Sequence, residues 1–158
     1  MCDAIARELK SEDALLDGEI VCLDADGKPQ FNELLFRRGD PRFCAFDVLW
    51  LNGRDLRDKP LLKRKGLLRR LIPKRSSYLL YVDHVEEHGE ELFEESCRND
   101  LEGIVAKLKS GTYTSDRRST TWVKIKNPSY SQAHGRDELF EALQTRRKAG
   151  PSVLTCPS

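Results

Sequence analysis

Residues 101–113 read "LEGIVAKLKSGTY": a carboxylate, Glu102, beside a glycine, then the apolar run Ile104-Val105-Ala106, then Lys107 and Lys109, then a Ser-Gly turn. On a strand, Ile104, Ala106 and Leu108 share one face while Val105, Lys107 and Lys109 share the other. The next strand-like run, "TTWVKIKN" (120–127), puts Trp122, Lys124 and Lys126 on one face, with Val123 and Ile125 opposite. Side by side, the two strands would show a row of ammonium groups on one sheet face. Like charges directly opposite one another destabilise a sheet unless an anion sits among them. A polyphosphate would satisfy that row; lysines guarding a sheet edge against aggregation are the other reading.

Working outward, "LLDGEIVCLD" (15–24) reads as a strand breaking at the turn "DADGKP", and "RFCAFDVLWL" (42–51) as a second strand ended by Asn52-Gly53. "PLLKRKGLLRRLI" (60–72) opens with Pro60 at a plausible first helical position, and its leucines recur near helical period with basic residues opposite. "SSYLLYVDHV" (76–85) reads as a strand, "HGEELFEESCRND" (88–100) as an acidic amphipathic helix, and "RDELFEALQTRRKAG" (136–150) as a last helix before a loose tail. Helices interspersed without strict alternation predict an α+β arrangement around an antiparallel-rich sheet.

Length and composition set the bounds. The 158 residues suffice for one domain with a real core. With 27 Lys+Arg against 26 Asp+Glu, net charge says nothing about partners. Its segregation does: residues 54–75 are strongly basic and 83–102 strongly acidic, which can build a positive face for a phosphate-rich partner or simply solvate two helices. The five cysteines show no CxxC spacing, and Cys22 and Cys44 sit inside apolar runs, so a reducing compartment is favoured. No apolar run is long enough to span a bilayer and none resembles a signal peptide, so the expected location is cytoplasmic, without a membrane partner.

The carboxylates in or beside strands are Asp17, Glu19, Asp47 and Glu102. A hard divalent ion such as Mg²⁺ binds through one or two carboxylates plus substrate phosphates. Glu102 beside a lysine row suits that chemistry, although it also reads as an ordinary surface acid. Phe46 is either core or a platform on which a base stacks.

In order, "LDGEIV", "FCAFDVLWLNG", "LEGIVAKLKSGTY" and "WVKIKNPSY" resemble the later motifs of ATP-dependent DNA ligases, bacterial end-joining enzymes among them. The resemblance runs from about Leu15 to Glu141. It implies a truncated ATP-grasp-like nucleotidyltransferase domain, with ATP and Mg²⁺ as cofactors and nicked double-stranded DNA as partner, in DNA repair and recombination. It implies that Glu19 contacts the nucleotide ribose, Phe46 stacks on adenine, Lys107, Lys124 and Lys126 surround the phosphates, and Glu102 associates with the metal. The details "AFDVLWLNG" and "WVKIKNPSY" favour a DNA ligase over an RNA ligase or a capping-type enzyme.

The sequence also departs from that family. Its nucleophile is the lysine of a K-x-D-G motif, which attacks the α-phosphate of ATP to form lysyl-AMP and releases pyrophosphate. Here the only Asp-Gly pairs are Asp17-Gly18 and Asp26-Gly27, with Leu15 and Asp24 at the lysine position. The arginine motif that follows it is not found either. About thirty residues follow Lys126, too few for the OB-type domain of complete ligases. The expected organisation is a partial adenylation domain over 1–128, lacking the K-x-D-G segment, and an extension over 129–158 with one helix and no OB domain. The covalent step then needs that segment from a separate chain, or a substitute such as Lys107 or Lys109. A non-catalytic nucleotide- or nick-binding module, or a scaffold without ligand, are the other readings.

Overall fold

The computed structural model describes residues 1–114 and 121–131. In chain order the elements are α1 (Cys2–Glu8), β1 (Ala14–Cys22), α2 (Phe31–Leu35), β2 (Pro41–Leu51), β3 (Arg54–Asp55), α3 (Leu61–Leu71), β4 (Leu79–Tyr81), α4 (Gly89–Arg98), β5 (Gly103–Lys107) and β6 (Trp122–Lys126). The expected last helix and tail, 136–158, lie outside the described residues.

The larger sheet is built on β2. Antiparallel β1 takes one edge; on the other, β3 pairs antiparallel at Trp50 and Leu51, and β4 pairs at Phe43–Ala45. The β2–β4 pairing is parallel, which the antiparallel-rich expectation did not contain. The strand expected over 76–85 shrinks to three residues because β4 has only that short edge to pair with; Val82 N–H adds one bond to the Ala45 carbonyl.

Helix α3 lies against β2 and supplies Leu68 and Leu71 to a core shared with Ala45, Val48, Leu56, Ile72 and Leu79. Ala45, Val48 and Leu68 are 0% exposed, so packing on one face of α3 and not propensity fixes its position. Helices α1 and α2 were not anticipated. They span seven and five residues, too short for periodicity to register, and α1 is held by Ile5, which packs on the core.

The smaller sheet is the antiparallel pair β5–β6, with α4 packed against β5. Gly103 begins β5 with φ +140, and a Cβ there would stand 2.1 Å from the Ile125 carbonyl oxygen of β6. Glycine is therefore dictated at that crossing of backbones.

Candidate nucleotide site

An irregularity in β2 aims the site. Asp17 faces Asp47 across the β1–β2 ladder, but the next pair is Gly18 with Ala45, so Phe46 is an extra residue in β2. A bulge of this kind re-aims a side chain, and bulges concentrate beside binding sites. It lets Asp47 and Cys44, three residues apart, fall opposite Asp17 and Glu19 of β1, while Ala45 and Val48 enter the core. The close approach explains Gly18 of the "LDGEIV" stretch: a Cβ there would lie 2.5 Å from the Cys44 carbonyl oxygen. Strict alternation along the sequence could not have placed these side chains.

Asp47 is 1% exposed and Arg64 of α3 2%. Arg64 Nε donates to Asp47 Oδ1 at 2.9 Å and Nη2 to Oδ2 at 2.8 Å, a two-pronged ion pair. The Val48 N–H donates to the same Oδ1 at 2.9 Å. Arg64 Nη1 donates to the Lys59 and Gly111 carbonyls, and the guanidinium lies 5.9 Å from the Tyr113 ring centre. One buried cation thus ties β2, the start of α3 and the loop after β5. Backbone bonds from Leu61 to Gly111, Leu62 to Lys109 and Tyr113 to Arg57 close the same junction.

That junction sets the smaller sheet over Phe46. Lys107 Nζ lies 4.3 Å from the Phe46 ring centre. Burial lowers the lysine's pKa from its ordinary value; the charges of Asp47 and Asp17 oppose that, and Arg64 reinforces it. Lys65 is also lowered, first by burial and then by the Lys107 charge, and it donates to the Val82 carbonyl at 2.8 Å. Tyr113 is shifted up by burial and by Asp17 beside its hydroxyl.

The expected lysine row takes a particular form. In the β5–β6 register Lys107 faces Trp122, Lys124 faces Val105, and Lys126 faces Gly103. The three lysines share a face, yet none stands directly opposite another, so the repulsion anticipated from sequence is reduced by register. Lys109 leaves the row: β5 ends at Lys107, and Lys109 pairs with Glu86 at 2.7 Å. Lys124 and Lys126 are exposed.

Glu19 sits on β1 opposite Cys44, and its charge reinforces the upward shift that burial imposes on that thiol. Glu102 is exposed just ahead of β5, and its carbonyl accepts from Asn127 N–H at 2.8 Å, beside the end of β6. The structure therefore joins Phe46 and Lys107 directly and puts Lys124 and Lys126 on the same sheet face as Lys107; Glu19 lies on β1 opposite Cys44 and Glu102 just ahead of β5, and neither is brought into contact with that pair. The sequence reading passed over Arg64, Lys65 and Tyr113. Their signal was weak: Arg64 and Lys65 sit in a basic run that looks solvated, and only their spacing from Leu61, Leu68 and Leu71 hinted at an inward face.

Among the described residues no three His, Cys, Asp or Glu side chains converge as a metal cage. A single exposed carboxylate ahead of a strand that carries lysines has the chemistry of a ligand for an ion shared between protein and phosphates. The open groove of about 710 Å³ on the opposite side of β5–β6 is a different place. It is walled by Phe93, Ile104, Ala106 and Ile125 and rimmed by Glu87, Glu90, Glu91 and Glu94, which would repel a polyphosphate.

Residues 2–126 match the ATP dependent DNA ligase domain family. The chain belongs to the ATP-dependent DNA ligase family. It is 37% identical over 125 residues to the multifunctional non-homologous end joining protein LigD of Mycolicibacterium smegmatis, an alignment covering 78% of this chain and 16% of that protein. The ligase domain of LigD from M. tuberculosis superposes with a TM-score of 0.61 at 34% identity, covering 72% of this chain and 37% of that one. A mycobacterial DNA ligase D complexed with ATP and MES gives a TM-score of 0.62 at the same identity, covering 72% and 38%. The chain thus spans about one sixth of the LigD relative and just over a third of the solved ligase domains. Among the described residues no helix is long and apolar enough to cross a membrane.

Proposed function

We propose that this chain is part of a ligase adenylation domain that binds ATP and nicked double-stranded DNA at the junction of its two sheets. The observation carrying this reading is the convergence of Lys107, on the smaller sheet, with Phe46, re-aimed by a bulge in the larger one. In this reading Phe46 stacks on adenine and Glu19 accepts from the ribose hydroxyls. Lys107, Lys124 and Lys126 offset phosphate charge, with gains largest where negative charge develops during phosphoryl transfer. Glu102 would hold Mg²⁺ together with the phosphates; the bound ion would neutralise phosphate charge.

The family reaction joins a lysine amine to the α-phosphate with loss of pyrophosphate. AMP then passes to the 5′-phosphate of the nick, and the 3′-hydroxyl displaces it. These 158 residues contain no K-x-D-G lysine. These residues alone are therefore proposed to bind nucleotide and an adenylated nick without adenylating themselves; a K-x-D-G segment, wherever it is encoded, would complete the cycle. Intact-protein mass after incubation with ATP and Mg²⁺ tests this, with no added AMP as the expected result. An adduct would show that a lysine such as Lys107 substitutes. Sealing of a pre-adenylated nick, reduced by Lys124→Ala and Lys126→Ala, would separate the ligase reading from that of a binding module.

A further inference from the structure

The amine of Lys107 stands where a base would stack. Stacked rings approach to centre distances of about 4.5 Å at closest. An ammonium nitrogen 4.3 Å from the Phe46 ring centre fills that layer. Nothing stronger holds it there: among the described residues Lys107 forms neither ion pair nor hydrogen bond, whereas Lys109 has Glu86 and Arg64 has Asp47. Its nearest acidic partners are not free to take it. Asp47 is committed to the Arg64 fork, and Asp17 lies beside the Tyr113 hydroxyl. The result is a half-buried cation resting on a ring face, with its three N–H donors unclaimed by the described residues.

We propose that Lys107 makes stacking on Phe46 conditional on phosphate, occupying the ring face in the nucleotide-free chain and leaving it when a phosphate takes the ammonium. The inference rests on the reading of Phe46 as the base platform. It adds a second role to the phosphate lysine: discrimination between nucleotides and bare nucleosides. A nucleoside must displace the cation and offers nothing in return, whereas a nucleotide draws it away with a charge-assisted bond, stronger than a contact with a ring.

Equilibrium binding of adenosine and ATP to the full chain and to Lys107→Ala is the test. The expected result is a divergence: adenosine binding tightens roughly threefold to tenfold, as loss of a partly desolvated cation–π contact predicts, while ATP binding weakens about tenfold or more. Weaker ATP binding with adenosine unchanged would make Lys107 a plain phosphate lysine and overturn the inference, leaving the base platform intact if Phe46→Ala still weakens ATP binding. ATP binding insensitive to Phe46→Ala would overturn the platform and the inference together. A ligand-free measurement does not depend on either ligand. Ring currents should move the Lys107 ε-methylene protons upfield in the NMR spectrum of the full chain, and Phe46→Leu should restore them. Unshifted protons in the unsubstituted chain would overturn the capped state.

Discussion

At the scale of single residues, the site depends on side chains whose neighbours are far away in sequence. Phe46 belongs to an apolar strand and would serve equally well as core; the bulge opposite Asp17 and Gly18 turns it to the Lys107 side. Phe46→Ala should weaken adenine nucleotide binding by about 1–3 kcal/mol, the usual value of a base–aromatic stack, read by calorimetric titration with AMP; unchanged affinity would remove it from the site. A second expectation concerns pH. Burial depresses Lys107 and Lys65 below the ordinary 10.5 in the folded chain, so above those depressed values the unfolded chain binds more protons. Stability of the nucleotide-free chain should therefore rise with pH from the depressed folded values up to the unfolded value and level off beyond it. Denaturation midpoints compared across the alkaline range for the native chain and Lys107→Met should show a smaller rise in the variant. An equal rise in both would mean that Lys107 titrates normally.

Elements are positioned by one buried ion pair and one helix face. Removing a single partner of a buried pair leaves an uncompensated charge and costs about 3–5 kcal/mol. Arg64→Met should lower the urea midpoint sharply and loosen the loop carrying Gly111 and Tyr113, both of which it touches. The double variant Arg64→Met with Asp47→Leu should recover much of that loss. If the single change were nearly neutral, the pair would not be what joins α3 to the junction. Leu68→Ala, at a fully buried position facing β2, should cost about 2–5 kcal/mol through the cavity it leaves. Its effect on nucleotide binding should be small while the chain stays folded. Much of this scale was legible in sequence: β1, β2, α3, α4, β5 and β6 all fall inside or close to the expected ranges. The short β4 and its parallel pairing were not, because three residues carry no usable period and pairing direction is a tertiary choice.

At the scale of the whole molecule, β1 stands at the edge of the larger sheet with Leu15 56% and Ile20 41% exposed. Among the described residues no strand pairs with the outer side of β1, and such an edge is a template for another strand. Urea melts of the chain alone and with a peptide carrying the family's K-x-D-G strand should show a higher midpoint in the mixture, or dimerisation of the chain alone. A high, identical midpoint together with a monomeric mass would show that this edge needs no partner.

By itself the sequence determined the family and the chemistry on offer. Glu19, Phe46, Glu102, Lys107, Lys124 and Lys126 stand in motifs whose order resembles that of the family, and alternation correctly put the three lysines on one face. Tertiary structure decided which charges are spent and which remain available. Strand alternation alone does not distinguish Lys107 from Lys109 or Asp47 from Asp17. One lysine meets Glu86 and the other a ring; one aspartate meets Arg64 while the other stays near a phenol. The physical reason is that burial and register assign partners across long stretches of chain. A charge's function depends on what remains unpaired after folding, and local residue patterns do not encode that remainder.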